Sequence, residues 1–560
     1  MDTNFEMVRA HALKEYERWL DNTVQQENFH NRLLKLYSNE EEIIDSFYTD
    51  LHFGTSGIRG LTGPGTNRIN GFVIRRAAQG VADYIKKSRI YPEVVIGYDN
   101  RNDSQRFAYE TAAVFNGNGI KVNLFREIVP TPVLSFAVRE LKCSIGIMIT
   151  ASHNPKRYNG FKVYNEKGYQ VVGRDHDIIS EEIEKLDYFT GIGYKKDENI
   201  TYVDENLRKM FARRAVEALP PIDPDVLGRF KTVYTPLNGT GLPLMEEVFR
   251  EIGYENYKVC ESQANPDEEF TTCPVPNPER ILAYNEAFKT LDNNDADIVI
   301  ANDPDGDRAG AAIYHDGMRT LLTGNQIGIL MLDYLCHIRP PRSGQILIKS
   351  AVTSPLIEKI AAKYRLHVIT TPIGFKYIGE IISKLSDYHR EDAFYFGMEE
   401  SDGYLITPFI REKDGFSSGA LITEIGAFHR SQGKDLIDRL FEIYGEFGAC
   451  MDKTRNYVFN GAEGQIKMQK IMKCLRSELH EGGSLGSRTI VTAKDYLEEY
   501  DTIPFDLLQY DLDDGSRVQF RPSGTEPKMR VYTFARGDLS DVDKDIVRII
   551  ERFKYDQPVE

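Results

Sequence analysis

Short apolar runs alternate with helix-patterned segments along most of this chain, and this alternation restricts the possible folds more than any other feature. The first runs are EVVIGYD at 93–99, IKVNLF from Ile120 and SIGIMIT from Ser144, with a helical segment beginning at Ser104. Strands that alternate with helices are typical of layered α/β domains, in which helices cover a largely parallel sheet. The sequence therefore predicts an α/β fold.

The same alternation returns twice further along the chain. The second unit contains KTVYT, NYKVC and ADIVIAND, and the third contains QILIKS, LHVITTP and AFYFGMEE. The last part is different, because polar loops separate short strands such as SRVQF and KMRVYTFA there. We expect four domains, at 1–204, 205–318, 319–450 and 451–560.

Composition excludes several classes of partner. The chain of 560 residues has 69 basic and 85 acidic side chains and a net charge of −16, which opposes binding to nucleic acid or to an anionic membrane. The N-terminus has no apolar signal core, and no run approaches the ~20 apolar residues that span a bilayer. Six dispersed cysteines without metal-site spacing predict free thiols and a cytoplasmic location. Nothing in the sequence indicates the oligomeric state.

The segment NDPDGDRAG, at 302–310, carries the sharpest local signal. Asp303, Asp305 and Asp307 alternate in a tight turn directly after an apolar run. Carboxylates that converge in this way repel one another unless a hard cation lies among them, and oxygen-only ligation favours Mg²⁺ or Mn²⁺. An EF-hand is excluded because Arg308 stands where its loop requires glycine. An acidic surface turn is the alternative, but the adjacent arginine indicates an anionic ligand beside a metal.

The segment RPSGTEPKMRVY, at 521–532, has the parts of a phosphate-binding loop. Guanidinium groups, hydroxyls and a backbone N–H can all donate to phosphate oxygens. A plain Gly-Thr hairpin turn is the alternative interpretation. There is no Walker A sequence and no G-x-G-x-x-G that opens a helix, so nucleotide binding lacks its usual marks. The candidate phosphate ligands are Arg521, Ser523, Gly524, Thr525 and Arg530.

Three further segments carry single side chains that suit a phosphosugar. FGTSGIRG offers Arg59 in a glycine-rich loop that we expect to be flexible. FGMEESDGYL places Glu399 and Ser401 after a strand, where they can bind vicinal sugar hydroxyls. REKDG puts Lys413 in a loop as a candidate cation or proton carrier. Each segment is also compatible with an ordinary surface loop.

The segment ITASHNPKRYNGFKVY, at 149–164, places Ser152 and His153 in a polar turn after an apolar strand. A serine hydrolase would need a G-x-S-x-G elbow, and a histidine adjacent in sequence is poorly placed as the base of its serine. With a metal triad and a phosphate loop in the same chain, we expect Ser152 to carry a phosphate. Phosphoryl transfer depends on positioning and on charge neutralisation, which these groups can supply.

These motifs, in this order between about Phe53 and Tyr532, resemble those of the α-D-phosphohexomutase superfamily: TASHNP, DPDGDR, GMEESDG and RPSGTEP, with TSGIRG, NGFK and REKDG also in place. The sugar loop and REKDG are most similar to those of glucose-type members, although Met398 stands where many of these have glycine. The long N-terminal extension resembles the branch of bacterial α-phosphoglucomutases and related phosphopentomutases. The resemblance implies three related mixed-sheet α/β domains and a smaller C-terminal α+β domain around a central cleft.

The resemblance also implies a reaction. Phosphorylated Ser152 gives its phosphate to O6 of glucose 1-phosphate, and the resulting glucose 1,6-bisphosphate turns around and returns its 1-phosphate to the serine. Mg²⁺ is implied at Ser152, Asp303, Asp305 and Asp307. The residues implied around the transferred phosphate are Arg59, His153, Lys162 and Lys413. Those implied to bind the sugar and its other phosphate are Glu399, Ser401, Arg308, Arg521, Ser523, Gly524, Thr525 and Arg530.

Other activities share most of these motifs. A phosphopentomutase, a phosphomannomutase and a glucose 1,6-bisphosphate synthase differ chiefly in the sugar loop. A magnesium-dependent phosphatase would release inorganic phosphate steadily, whereas a mutase would release almost none. A non-catalytic phosphosugar-binding protein could keep the fold, but the intact serine and the three aspartates argue against it.

Overall fold

A computed structural model describes residues 3–54, 57–88, 91–196, 200–221, 223–459, 461–498, 503–522, 528–537 and 539–555. Within these ranges the strands form four sheets, one in each predicted part of the chain. No helix in the described ranges is both long and apolar enough to cross a membrane.

The first sheet mixes parallel and antiparallel strands. β2 pairs in parallel with β3 and β4, whereas β5 runs antiparallel to β4 and β1, in the order β1-β5-β4-β2-β3-β6. β2 and β4 are buried along their whole length, as expected of strands covered on both faces by helices. The elements are α1 (Thr3–Thr23), α2 (Glu27–Leu36), α3 (Glu40–Phe47), β1 (Ile58–Leu61), α4 (Gly71–Ser88), β2 (Glu93–Tyr98), α5 (Ser104–Gly117), β3 (Lys121–Leu124), α6 (Thr131–Glu140), β4 (Ile145–Ile149), β5 (Tyr158–Asn165), α7 (Gly173–Glu184) and β6 (Ile200–Tyr202).

The second sheet repeats this plan. β7 pairs in parallel with β8 and β9, and β10 runs antiparallel to β9 and β11, in the order β11-β10-β9-β7-β8. The elements are α8 (Asn206–Glu217), α9 (Pro224–Arg229), β7 (Thr232–Thr235), α10 (Leu242–Glu251), β8 (Tyr257–Val259), α11 (Glu261–Ala264), a 3-10 turn (Ile281–Tyr284), α12 (Asn285–Asn294), β9 (Ile298–Asn302), β10 (Ala309–His315) and β11 (Met318–Leu321).

The third sheet is the smallest of the mixed sheets. β12 pairs in parallel with β13 and β14, and β15 runs antiparallel to β14. The side chains of Thr323 and Asp414 accept backbone N–H groups at the starts of α13 and α16, which fixes where both helices begin. The elements are α13 (Gly324–Ile338), β12 (Ile346–Ser350), α14 (Pro355–Lys363), β13 (His367–Thr371), α15 (Phe375–Asp387), a 3-10 turn (Glu391–Ala393), β14 (Phe394–Glu399), β15 (Gly403–Leu405), α16 (Gly415–Ser431) and α17 (Leu436–Phe447).

The fourth sheet is antiparallel throughout, in the order β16-β21-β20-β19-β18-β17. Its own apolar core lies between this sheet and two helices. The elements are β16 (Met451–Val458), α18 (Gly461–Glu478), β17 (Ser484–Leu485), β18 (Arg488–Asp495), β19 (Leu508–Leu512), β20 (Arg517–Pro522), β21 (Lys528–Ala535) and α19 (Leu539–Tyr555). Three mixed-sheet α/β units followed by an α+β unit confirm the predicted fold class.

One connection recurs in the three mixed sheets. In each, a buried parallel strand turns directly into an antiparallel neighbour, at β4–β5, β9–β10 and β14–β15. The three turns contain the TASHNP, DPDGDR and EESDG motifs. Ligands of α/β sheets bind beyond the carboxyl ends of the strands, so this connection places all three motifs where a ligand can reach them.

Two details differ from the sequence expectation or refine it. β11 extends across the proposed boundary at 318, because Met318–Leu321 pairs with β10. We therefore propose that the second domain ends after Leu321, and the boundaries at 204 and 450 stay proposals. Arg59 lies on β1 rather than in a flexible loop, because the strand Ile58–Leu61 pairs with β5.

The helices α1–α3 are held to the first sheet by an aromatic cluster around Trp19, the only tryptophan of the chain. Its ring centroid lies 5.2 Å from that of Phe72 on α4 and 5.1 Å from that of Tyr188. The indole is fully buried, so its packing fixes the N-terminal helices against the domain.

We expect Trp19→Ala to lower the free energy of unfolding of this domain by about 3–5 kcal/mol, because truncation of a buried aromatic leaves a cavity. Thermal unfolding followed by circular dichroism checks this. Leu34→Ala, at an exposed position of α2, is the control and should change the melting temperature little. Equal melting temperatures for the wild type and Trp19→Ala would show that the cluster does not hold the helices.

Candidate active site

Ser152 lies at the apex of the turn between β4 and β5. Its backbone adopts a left-handed conformation with φ of 53°, which is unfavourable for a residue with a Cβ. Its Oγ donates to Oδ2 of Asp303 at 2.8 Å, and Nδ1 of His153 lies 3.2 Å from the same Oγ. The serine is 3% exposed. The turn therefore aims this hydroxyl out of the first sheet and at the acidic loop of the second.

Asp303, Asp305 and Asp307 are buried together in the turn after β9, with one oxygen from each carboxylate within 4.8 Å of the others. Burial and the neighbouring carboxylates raise the pKa of Asp303 and of Asp307. Burial acts in the same direction on Asp305, but the ammonium of Lys162 at 2.9 Å holds the pKa of that carboxyl below its usual range. The neighbouring protein groups therefore neutralise only part of the negative charge of these three buried carboxylates.

The triad fits a hard divalent cation. Oδ1 of Asp305 and Oδ1 of Asp307 are buried and have no hydrogen-bond partner among the described residues. An unpaired buried oxygen is costly, so these two atoms are suited to ligation. All donors in the cluster are oxygens, which is the set that Mg²⁺ and Mn²⁺ prefer.

Cations from three sheets surround this cluster. Nζ of Lys162 on β5 lies 2.9 Å from Asp305, and Nζ of Lys413 lies 3.1 Å from Asp307. Although burial opposes its charge, the carboxylates of Asp307, Glu412 and Glu399 raise the pKa of Lys413. This lysine, expected in a surface loop, is instead almost fully buried.

Two arginines complete the ring of cations. Nε of Arg308 lies 3.8 Å from Asp303 and 3.9 Å from Asp307, and its buried Nε and Nη1 have no hydrogen-bond acceptor among the described residues. Nη1 of Arg59 donates to Asn154 beside the serine turn at 2.9 Å. Arg308 is held by ion pairs, including one of 3.6 Å from Nη1 to Glu279, but its Nε and Nη1 make no hydrogen bond with the described residues and are suited to an anionic ligand such as phosphate.

His153, expected to be poorly placed as the base of the adjacent Ser152, lies close to the serine hydroxyl. The left-handed turn brings Nδ1 of His153 within 3.2 Å of the serine Oγ. Burial, together with the nearby charges of Arg308 and Arg59, lowers the pKa of His153 well below its ordinary value. These surroundings disfavour the charged form of the imidazole. No carboxylate hydrogen-bonds its other nitrogen within the described ranges, so a hydrolase triad is not formed.

Glu399, at the end of β14, lies beside Lys413, with 3.9 Å between its Oε2 and Nζ. Burial raises the pKa of this carboxyl to about 7. A Cβ at position 403 would lie 2.5 Å from Cδ of Lys413. Glycine at this position therefore leaves room for the lysine side chain. Ser401 does not share this contact, because its Oγ donates to Glu400 at 3.3 Å. Met398 points to the opposite side of the strand, against Gly328 of α13, and does not line the same face as Glu399.

The fourth sheet contributes Arg521 on β20 and Arg530 on β21, which are directly opposite each other across the two strands. Ser523, Gly524 and Thr525 lie outside the described residues. No hydrogen bond or ion pair in the described part of the chain joins Arg521 or Arg530 to the residues around Ser152. The phosphate-binding role of all five residues stays a prediction.

The sequence did not single out Thr131, which contacts the triad, or Lys349, which lies beside the loop that begins at Glu399. Thr131, the first residue of α6, donates through its Oγ1 to Asp305 at 2.9 Å and through its backbone N–H to the Asp305 carbonyl at 2.8 Å. Lys349 is buried near the end of β12, where burial lowers its pKa, and Ser350 beside it donates to Glu400 at 2.9 Å. The position of Lys349 near the carboxyl end of a central strand was a usable signal.

Comparison with protein families gives a consistent result across the three mixed sheets. Models of the phosphoglucomutase/phosphomannomutase alpha/beta/alpha domains I, II and III match residues 50–189, 211–316 and 323–446.

Similar proteins cover nearly the whole chain. A phosphoglucomutase of Staphylococcus haemolyticus is 34% identical over 525 residues, which span 90% of this chain and 94% of that protein. A phosphoglucomutase of Staphylococcus aureus is 32% identical over 559 residues, which span 96% of this chain and 99% of that protein. The open form of Paramecium parafusin, a phosphoglucomutase, has the same fold, with a TM-score of 0.68, 19% identity and coverage of 92% of this chain and 97% of that one.

Mg²⁺ should reverse the effect of Asp303→Asn on stability. In EDTA the variant should melt above the wild type, because an amide cannot carry the negative charge that burial and the neighbouring carboxylates disfavour at this position. With Mg²⁺ at about 100 times its dissociation constant, the wild type should gain about 2.7 kcal/mol and the variant much less. Differential scanning calorimetry measures both. The exposed Asp541→Asn is the control. An equal gain in wild type and variant would rule out a metal at the triad.

The pKa of Glu399 predicts a pH-dependent effect of Glu399→Gln on stability. Because the pKa of about 7 in the folded chain exceeds the ordinary 4.5, the wild type loses stability as the pH rises through this interval. Glutamine cannot ionise, so the variant does not lose this stability. The free energy of unfolding of the variant should therefore rise relative to the wild type between pH 4.5 and about 7, by up to about 3 kcal/mol, and the difference should stay constant at higher pH. Melting curves at several pH values check this, with the exposed Glu181→Gln as control. A difference independent of pH would contradict the raised pKa.

Proposed function

Because this chain belongs to the phosphoglucomutase/phosphomannomutase family of the α-D-phosphohexomutase superfamily, we propose that it is a phosphoglucomutase that interconverts glucose 1-phosphate and glucose 6-phosphate. The observation that carries the proposal is the contact between the Ser152 hydroxyl and the acidic triad, 2.8 Å from Asp303. A hydroxyl in a strained turn, aimed at a divalent-metal site and ringed by cations, is suited to carry a phosphate that is given and taken back.

The reaction proceeds in two transfers. In the first, the bond between phosphorus and Ser152 Oγ breaks and a bond from phosphorus to O6 of glucose 1-phosphate forms. The O6 proton leaves to a base, and Ser152 Oγ takes up a proton as it departs. The glucose 1,6-bisphosphate turns around in the cleft. In the second transfer, the bond between phosphorus and O1 breaks and phosphorus bonds Ser152 Oγ again. The serine proton leaves to a base, and O1 takes up a proton as glucose 6-phosphate departs.

The side chains around Ser152 supply charge neutralisation and proton transfer. Arg308, Arg59 and Lys413 are placed to bind the oxygens of the transferring phosphoryl group, whose charge is spread over them in the transition state. Mg²⁺ held by Asp303, Asp305, Asp307 and an oxygen at Ser152 would add Lewis-acid stabilisation of the same charge. We assign the proton of the attacking hydroxyl to His153, whose Nδ1 lies 3.2 Å from Ser152 Oγ and whose pKa is lowered by burial.

The sugar is held on the side of the cleft formed by the third sheet. Glu399 accepts hydrogen bonds from the hydroxyls of glucose, with Ser401 on the same loop as a further partner. Met398 stands where many glucose-type members have glycine. Because its side chain faces α13, this difference does not change the surface that contacts the sugar. Arg521, Ser523, Gly524, Thr525 and Arg530 bind the phosphate that is not being transferred. The six free thiols suit a cytoplasmic enzyme.

The first test is conversion of glucose 1-phosphate to glucose 6-phosphate with Mg²⁺ and a trace of glucose 1,6-bisphosphate. Removal of the nucleophile in Ser152→Ala should lower kcat by at least about 10³-fold. Ser431→Ala, at an exposed position near the end of α16, should retain the wild-type rate.

Other substrates decide between the remaining activities. If the wild type does not convert glucose 1-phosphate but does convert ribose 1-phosphate to ribose 5-phosphate, the chain is a phosphopentomutase. Steady release of inorganic phosphate would make it a phosphatase.

A further inference from the structure

Arg101 lies in the turn between β2 and α5, on no motif assigned to the reaction, yet its buried guanidinium contacts the whole serine turn. Nη1 donates to the carbonyl oxygens of Pro155 at 3.0 Å and Tyr158 at 3.1 Å. Nη2 donates to the carbonyl oxygens of Asn154 at 2.6 Å and of Ser152 itself. One side chain thus satisfies four backbone acceptors of a single turn.

Asp99 connects this guanidinium to the other side of Ser152. Its Oδ2 lies 3.2 Å from Nε of Arg101 and accepts from Oγ1 of Thr150 at 2.6 Å. The same Thr150 Oγ1 accepts from the backbone N–H of Ser152 at 2.8 Å. The N–H and the C=O of the serine are therefore both tied to one buried carboxylate, through Thr150 on one side and through Arg101 on the other.

These contacts hold the serine in a conformation that it would not keep alone. A non-glycine residue with φ of 53° is strained by about 1–3 kcal/mol and persists only where its surroundings over-determine it. Rotation of this residue toward ordinary backbone angles would move Oγ away from Asp303. The tethers on its two peptide groups are the contacts that oppose this rotation.

The same short segment also fixes the serine turn against the second domain, which carries the triad. The Arg101 guanidinium lies 5.1 Å from the centroid of the Phe270 ring. Beside it, Nδ2 of Asn100 donates to the carbonyl oxygens of Asn238 at 2.8 Å and Asp267 at 3.2 Å. Residues 99–101 therefore set both the shape of the turn and its position relative to Asp303.

We infer that Asp99, Arg101 and Thr150 form a positioning network that holds Ser152 Oγ in line for phosphoryl transfer, an inference that rests on the proposed function. Among the described residues, no hydrogen bond or ion pair joins these three side chains directly to the cations or to the acidic triad around Ser152. Loss of the network should therefore slow transfer to and from Ser152 without weakening the binding of the sugar phosphate.

Thr150→Val tests this with a substitution of almost the same shape, and Thr150→Ser restores the hydroxyl. The dephosphorylated chain is mixed with glucose 1,6-bisphosphate and Mg²⁺, and the gain of one phosphate is followed by rapid quench and intact-protein mass spectrometry. We expect Thr150→Val to slow this step by about a hundredfold, as small misplacements of reacting atoms do. Thr150→Ser should recover most of the rate, and calorimetry should give all three chains the same dissociation constant for the bisphosphate.

Arg101→Lys provides a second variant, with Arg76→Lys as its matched control. Arg76 is also buried in the first domain, where it bonds Leu186 O, Glu184 O, Tyr188 Oη and Asp50, away from the serine turn. Both substitutions should lower the melting temperature, but only Arg101→Lys should slow phosphorylation of Ser152. An equal loss of rate in both would show a general effect of stability and would overturn the inference.

The outcomes separate the inference from the proposed function. A wild-type chain that gains no phosphate on Ser152 would overturn the proposed function itself. A wild type that is phosphorylated, with Thr150→Val reacting at the same rate, would overturn only the positioning network. A parallel rise in the dissociation constant for the bisphosphate would likewise overturn it, because the network would then be shaping the binding site.

Discussion

Three carboxylates buried in one turn repel one another, and the arrangement of the other domains follows from how that charge is compensated. Lys162 comes from the first sheet and Lys413 from the third, and each forms an ion pair with a different member of the triad. An isolated second domain would leave the cluster without either lysine. Because an uncompensated buried charge costs several kcal/mol, docking of the three mixed sheets against one another is also what makes the acidic loop tolerable.

The fold delivers these groups to one place by repeating a single connection. In each mixed sheet, a buried parallel strand turns sharply into an antiparallel neighbour, so the residues in the turn sit beyond the carboxyl end of a rigid strand. The Ser152 turn, the acidic triad and the loop that begins at Glu399 occupy this equivalent position in three successive units. Specialisation of each turn therefore required changes in a few loop residues, while the strands that hold them kept the same plan.

The sequence was sufficient for the fold class and for the turns that carry chemistry, because both depend on local patterns. Alternating apolar runs predict the sheets, and the motifs identify Ser152 and the aspartates. Contacts between distant segments were not accessible in this way. The contact between His153 and Ser152 depends on a left-handed turn. Arg101, about fifty residues earlier in the chain, holds that turn in place. Burial of Lys413 likewise depends on packing of the third domain against the second, which a five-residue loop motif does not encode.

The negative charges of the site come from one turn, whereas the positive charges come from several parts of the chain. A metal cation and an anionic ligand should therefore act on different parts of the molecule. The carboxylates all belong to one turn, so a metal cation relieves repulsion within a single loop. The cations Arg59, Lys162, Arg308 and Lys413 come from the first three units, and Arg521 and Arg530 of the fourth sheet are predicted to join them. On the proposed function, a phosphate near Ser152 would attract all four units at once, whereas a metal would act within one loop. We therefore propose that the anionic substrate, rather than the metal, draws the four units together.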